Sequence, residues 1–576
     1  MKTKKYYSIL ERLYRRFHRL YPGRADLCLR RLEMLMGRYG LGDRTGNPPF
    51  CFSHRDVCLI TYGDSLLAEG EKPLTTLKGF LSRYLSDVIN TVHILPFFPF
   101  SSDDGFSVID YRKVNPDLGT WDEIESIAGE FRLMGDLVIN HISRQSQWFQ
   151  DYAFGMLPEK FYFIEADPSD DTSAVVRPRS LPLLTPVHTR DGLRHVWTTF
   201  SDDQIDLNFA NPDVLFEFLD ILMLYVLHGM RVIRLDAIAY LWKEPGTECI
   251  HLPETHEVVK LIRDFLQIIS PDATIITETN VPHKENISYF GNGDEAHMVY
   301  QFPLPPLLLH ALLSGSSRYL SRWVEGLDSA ELPEGCTFFN FTASHDGIGV
   351  RPLEGIVPDS ELRQLVEDVR RRGGEVSTRT AEGGEEKPYE LNITYFDAVS
   401  DPDSGDEERD IDRFLCSQAI ALCLKGVPAV YIHSLLGTRN DYEAVEATGR
   451  ARSINRSRLS AGEIEEQLQD NTSMRHVVLR RYKRLLHCRT RHAAFHPEGA
   501  QNVLDCGEKV FALERISPED DDAVLCLFNL SDEIVSLPVP EKYGEGPWRE
   551  IISGKMRGRP GSELKIEPYR PLWIVR

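Results

Sequence analysis

Positive charge is scarce in this chain: 65 Lys and Arg stand against 87 Asp and Glu, a formal charge of -22 over 576 residues. So acidic a surface repels a phosphate backbone, and no DNA- or RNA-reading motif interrupts it, which argues against nucleic acid as a partner. Paired cysteines are missing too. The ten cysteines, Cys28, Cys51, Cys58, Cys249, Cys336, Cys416 and Cys423 among them, show no C-x-x-C spacing and no dense framework, as suits free thiols in a reducing compartment. The amino end, "MKTKKYYSILERLYRRFHRLY", lacks an uncharged apolar run, so neither a signal peptide nor a membrane span is expected there. The expectation is a cytoplasmic protein with no membrane partner, a monomer or a homodimer. Metal motifs are also absent: no H-E-x-x-H occurs, and the acidic "SSDDG" at 101–105 lacks the rest of an EF-hand loop, so no metal is expected.

What is present is enough for one large core and smaller domains, with 42% hydrophobic and 26% charged residues. Ile9, Leu10, Leu13, Tyr14 and Phe17 fall at helical spacing, which predicts an amphipathic helix docked on the body rather than on a lipid surface. Short apolar or β-branched runs then appear at 56–63, 91–100, 135–141, 229–237, 273–280, 297–302, 336–346 and 427–434. Helical patterns such as "PDVLFEFLDILMLYVLHG" and "ETHEVVKLIRDFLQII" lie between most of them. Strand then helix, eight times over, predicts an α/β fold of the (β/α)8 TIM barrel kind, with functional groups at the strand ends.

The expected organisation is an N-terminal helical extension over 1–50 and a barrel over 51–138, 211–347 and 412–491. Inserted domains are expected at 139–210 and 348–411, and a β-sandwich-like domain at 492–576. Within the second insertion, "RRRGGEVSTRTAEGGEEKPYE" has Gly, charge and no periodicity, which predicts a mobile loop.

The run "GMRVIRLDAIAY", 229–240, raises a physical question, because it sets Arg234 and Asp236 inside an otherwise apolar strand. An unpaired charge there is costly, and residues two apart on a strand share a face. Either the two form a buried structural ion pair or they look into a site. Glu278 ends the next strand, in "ITETN", and Asp346 follows a later one in "FTASHDG". Three acids at strand ends converge on one mouth, and two carboxylates flanking a glycosidic bond can act as nucleophile and proton donor. In that arrangement Arg234 keeps Asp236 ionised, while Glu278 needs surroundings that hold its proton. His141 and His345 are placed to donate hydrogen bonds to sugar hydroxyls.

"DLVINH", "GMRVIRLDA", "ITET" and "FTASHD", in this order, resemble the four signature regions of the α-amylase family, glycoside hydrolase family 13. "HILPFFPFSSDDGFSVIDY", "VVRPRSLPLLTP", "WTTFSDDQIDLN" and "PYELNITYFDA" resemble its sucrose phosphorylase subfamily, whose members transfer glucose to inorganic phosphate. The resemblance implies that Asp236 is the nucleophile, Glu278 the general acid/base and Asp346 the acid that holds hydroxyls of the distorted sugar. It implies that Asp103, Phe106, His141, Phe200, Gln204, Arg234 and His345 surround the donor glucose, and that Arg179 meets phosphate. In "ATGRARSINR", Arg450 and Arg452 cannot be separated; counting back from "INR" favours Arg452.

The implied reaction is a double displacement through a β-glucosyl enzyme, with phosphate as co-substrate, a small carbohydrate as partner and no cofactor. At the acceptor loop the matching residues are Lys387, Pro388, Tyr389 and Glu390, where sucrose phosphorylases carry Asp, Leu, Tyr and Gln. A cation in place of an acid implies a negative leaving group and, with the wider resemblance, reversible phosphorolysis of 2-O-α-glucosyl-glycerate. Fructose 6-phosphate, fructose and glycerol are the alternative leaving groups; a hydrolase or a catalytically silent binding protein is the alternative role.

Overall fold

The computed structural model describes residues 3–178, 181–328, 332–380, 386–538, 548–557 and 563–575. Eight parallel strands close into a barrel: β1 (Cys58–Thr61), β2 (Thr91–Ile94), β3 (Arg132–Val138), β4 (Met230–Asp236), β5 (Thr274–Thr277), β6 (Met298–Tyr300), β7 (Thr337–Phe341) and β8 (Val427–Tyr431). Each pairs with its chain neighbours, and β8 closes on β1 through Cys58–Ala429 and Ile60–Tyr431. Helices cover the outside, so almost every strand residue is buried and the strands read as continuous apolar runs. Several strands are shorter than the runs suggest. The run 91–100 gives only Thr91–Ile94, because Pro96 and Pro99 remove ladder donors beyond it. The run 135–141 splits: β3 ends at Val138, and His141 opens a separate strand, His141–Ser143.

The N-terminal helix, Lys4–Leu20, buries Tyr6, Ile9, Leu13, Phe17 and Leu20, and Phe17 stacks on Phe216 with centroids 5.9 Å apart. Two of its arginines anchor it to the body. Arg12 donates to Asp264 at 2.7 Å, and Arg16 reaches Glu257 at 3.2 Å and Asp294 at 3.0 Å. Among the described residues no helix is long and apolar enough to cross a membrane.

After β3 the chain pairs His141–Ser143 with Gln204–Asp206 and adds the hairpin Leu184–Thr189/Gly192–Trp197. After β7 it forms a helix, Asp359–Arg371, and the antiparallel strands Glu375–Thr380 and Glu386–Asn392. The segment read as a mobile loop is therefore largely regular structure, with 381–385 outside the described residues. The run Val376, Ser377, Thr378 suits a strand, and the flanking Gly and charge masked that signal. A six-stranded sheet and a two-stranded one follow the barrel at the carboxyl end.

Candidate active site

The carboxyl ends of the barrel strands deliver the polar groups, as parallel barrels do. Asp236 closes β4, Glu278 follows β5, and Asp346 lies in the loop after β7. All three line a cavity of about 130 Å³, together with Asp103, Phe106, His141, Phe200, Gln204, Arg234, His345, Arg452, Tyr389 and Glu390. Pro178 also lines it, whereas Arg179 lies outside the described residues. Lys387 is exposed and is not on the cavity wall.

Arg234, 3% exposed, is the hub of the floor. Its Nη1 donates to Asp236 Oδ1 at 2.7 Å and also to Asp136, while Nη2 stands 3.8 Å from Glu278 Oε2. Asp136 in turn meets His93 Nε2 at 2.7 Å. The rings of Phe106 and Tyr300 lie 5.5 and 5.6 Å from the guanidinium. The charge inside the β4 run is thus paired from two sides, and one of its partners faces the cavity.

Ala237, next in the chain, has φ 50°; this left-handed step turns its N–H onto Glu278 Oε2 at 3.2 Å. Strain is also held at the opposite wall. Asp103, Asp104 and Gly105 all have positive φ, at 53°, 49° and 111°, and a Cβ on Gly105 would sit 2.8 Å from the Pro96 carbonyl. The turn sets Asp103 within 3.1 Å of Gln204 Nε2 and stacks Phe106 on His345, centroids 4.9 Å apart.

Burial raises the pKa of the Asp236–Glu278 pair, and repulsion among the acids adds to it, with Arg234 opposing. The two acids share one guanidinium and titrate as a unit. Burial likewise opposes ionisation of Asp346, but His345, Arg452, Arg456 and Arg234 outweigh it and hold this carboxyl below the usual range. Arg452 Nη1 bonds Asp346 at 2.6 Å, and its other nitrogens clasp Glu390 at 2.9 Å each. Arg450 instead reaches Asp104 at 3.3 Å on the exposed rim, so the cavity receives Arg452. Burial pushes His345 down to about 3 and His141 to about 4, so both imidazoles are neutral at pH 7 and add no charge to the site.

The orientation of His141 traces to a buried cation. Lys243 Nζ lies 2.6 Å from Asp206 and donates to Asn140 Oδ1 at 2.7 Å. The Asn140 amide donates to His141 Nδ1 at 3.2 Å, leaving Nε2–H to donate to the Phe106 carbonyl at 3.0 Å. Replacing Lys243 by Met strands the fully buried Asp206 and is expected to cost about 3–5 kcal/mol, read as a lower denaturation midpoint. An unchanged midpoint would remove this role.

Comparison with known proteins agrees with the geometry. The family description "Alpha amylase, catalytic domain" matches residues 64–330. A glucosylglycerate phosphorylase of Spirochaeta thermophila is 52% identical over 478 residues, 83% of this chain and 81% of its own length. The glucosylglycerate phosphorylase of Allomeiothermus silvanus is 45% identical over 561 residues, covering 96% and 97%. The chain belongs to the α-amylase family. Among solved structures, sucrose 6F-phosphate phosphorylase from Thermoanaerobacter thermosaccharolyticum superposes with TM-score 0.72 at 29% identity, covering 89% of this chain and 98% of its own. Relatives of this kind are phosphorylases, and this chain is an enzyme.

Several groups of this α-amylase-family site escaped sequence reasoning. Asp136, an acid inside the apolar β3 run, carries the same sequence signal as Arg234. Arg456, paired with Asp104 and 3.9 Å from Asp346, stood in the quoted "INR". Tyr240, Asn280 and Arg351 also line the cavity, and single loop residues of this kind leave no periodic signal.

Proposed function

We propose that this enzyme is a retaining phosphorylase that reversibly cleaves 2-O-α-glucosyl-glycerate with inorganic phosphate, giving α-glucose 1-phosphate and glycerate. The observation that carries the reading is the unequal sharing of Arg234, which bonds Asp236 at 2.7 Å and stands 3.8 Å from Glu278. The first proton to leave the raised pair comes from the acid nearer the guanidinium, so Asp236 is the carboxylate and Glu278 keeps its proton. The relatives' names support the choice of substrate.

Asp236 attacks the anomeric carbon while Glu278 gives its proton to the glycerate oxygen, and glycerate leaves. Asp346 stabilises the positive charge that builds on the reacting ring and holds sugar hydroxyls, while Arg234 keeps Asp236 ionised for the attack. Phosphate then enters, returns a proton to Glu278 and displaces Asp236, so the α configuration is retained. Arg179 is the residue we assign to phosphate, as a fork that binds two of its oxygens. No cofactor takes part. Ten free thiols support a reducing, cytoplasmic setting.

The reading is tested by incubating the enzyme with α-glucose 1-phosphate and, in turn, glycerate, glycerol, fructose and fructose 6-phosphate, and following phosphate release. Glycerate is expected to be fastest. Faster release with another acceptor would overturn the substrate, and release as fast with none would make the enzyme a hydrolase.

A further inference from the structure

Three arginines among the described residues line the catalytic cavity, and two are committed to carboxylates. Arg234 holds Asp136 and Asp236; Arg452 holds Asp346 and Glu390. Arg351 differs. It opens a short turn, Arg351–Leu353, in the loop after β7, and its guanidinium makes no ion pair with any described residue. Its Nε is buried without a hydrogen-bond partner. The turn is fixed in place: Val350 N–H donates to the Tyr389 carbonyl at 3.1 Å, and Pro352 and Leu353 are buried.

A half-buried guanidinium with no ion pair among the described residues is a cation awaiting an anion. Its surroundings narrow the anion's chemistry. Asn280, from the loop after β5, lines the same cavity and buries Oδ1 without a partner, which suits a ligand hydroxyl. Tyr240, beside the β4 end, shares the wall with both, and its phenol is raised by burial and by Tyr389 but lowered by Arg351. Tyr240 follows three residues after Ala237, whose N–H bonds Glu278 at 3.2 Å, and lines the same cavity as that acid, which sets this wall near the group assigned as proton donor. Lys387 is exposed and off the wall, so the cation for a negative leaving group does not come from there.

We propose that Arg351 grips the carboxylate of a hydroxy-acid leaving group, with Asn280 on a hydroxyl of that acid, and thereby selects an anionic over a neutral acceptor. The assignment rests on the phosphorylase reading above. A planar guanidinium matches a carboxylate with two parallel hydrogen bonds, and binding relieves the unpaired charge.

The test compares Arg351→Gln and Arg351→Lys with the unaltered enzyme, each first checked for its thermal midpoint. Rates of synthesis from α-glucose 1-phosphate are measured with glycerate and with glycerol, and the ratio of the two kcat/KM values is taken, which cancels any loss common to both. The ratio is expected to fall about 10- to 100-fold in Arg351→Gln, the range for a hydrogen bond to a charged group, with part regained in Arg351→Lys. Should the Gln variant not fold, a several-fold rise in KM for glycerate alone in the Lys variant supports the proposal. An unchanged ratio in an enzyme that uses glycerate well overturns the role of Arg351 and leaves the proposed reaction standing. A raised KM for inorganic phosphate with an unchanged ratio also overturns it, assigning the arginine to phosphate. An unaltered enzyme that ignores glycerate sinks the substrate reading and this proposal together.

Discussion

Asp236→Ala is expected to lower kcat for phosphorolysis by about four orders of magnitude or more, some 5.5 kcal/mol at 1.36 kcal/mol per tenfold, and to stop hydrolysis of α-glucose 1-phosphate as well. Both losses follow from one cause. In the proposed mechanism the sugar is first carried by the enzyme in each reaction, and Asp236, bonded by Arg234 at 2.7 Å at the end of β4, is the carboxylate that carries it. A merely structural partner of Arg234 would behave otherwise, because Asp136 remains to pair the guanidinium and the floor of the cavity would survive. The discriminating measurement is rescue. Azide or formate can enter the space vacated by the carboxylate and attack the donor once, so the product should carry inverted, β configuration. Near-normal turnover of Asp236→Ala, or rescue with retained configuration, would refute the assignment.

The barrel was legible because each of its strands is covered on both sides, so that burial writes an unbroken apolar run into the sequence. The site was legible for the complementary reason: a charge in such a run is costly unless it is used, and Arg234 and Asp236 broke the β4 run where the structure places the cavity floor. Strand ends were harder to read, since apolar character continues past the last ladder bond, as after Ile94, where Leu95, Phe97 and Phe98 follow.

The acceptor side resisted for a different reason. Strand Glu386–Asn392 pairs Glu390 with Ser377 and Pro388 with Thr378, so the register shifts by one residue at Tyr389. This bulge re-aims side chains at the cavity edge, and a one-residue slip exchanges the faces of a strand. Tyr389 and Glu390 therefore line the cavity while Lys387 does not, a distinction that no composition or spacing contains. Arg351 sits in a turn whose position depends on a hydrogen bond to that same strand, so its use is visible only once the two segments are together. The inserted segments are in this way less readable than the barrel: their side chains are placed by pairings between distant residues rather than by a repeating local pattern.

Glu278→Gln should separate the two halves of the reaction by their need for a proton. Departure of glycerate from 2-O-α-glucosyl-glycerate leaves an alkoxide unless a proton arrives, so kcat for that donor is expected to fall about 10³-fold or more, within the range in which positioned proton transfer acts with the rest of a site. A donor whose leaving group needs no proton, such as α-glucosyl fluoride, should form the glucosyl enzyme with a loss at least tenfold smaller. The pH dependence carries the same information with a defined sign. Burial is the largest influence on Glu278 and raises its pKa, Asp346 adds to the rise, and Arg234 opposes it. Because the protonated form is the one that works as acid, phosphorolysis should decline as pH climbs through that raised value, while the need for an ionised Asp236, whose pKa burial also raises, sets a separate decline on the acid side. The Gln variant has no proton there to lose, so its residual activity should lack this alkaline decline. An alkaline limb that persists unchanged in Glu278→Gln, or an equal loss for both donors, would mean that another group delivers the proton. The hydrogen bond from Ala237 N–H to Glu278 at 3.2 Å would then be a way of holding a structural carboxylate instead of aiming an acid.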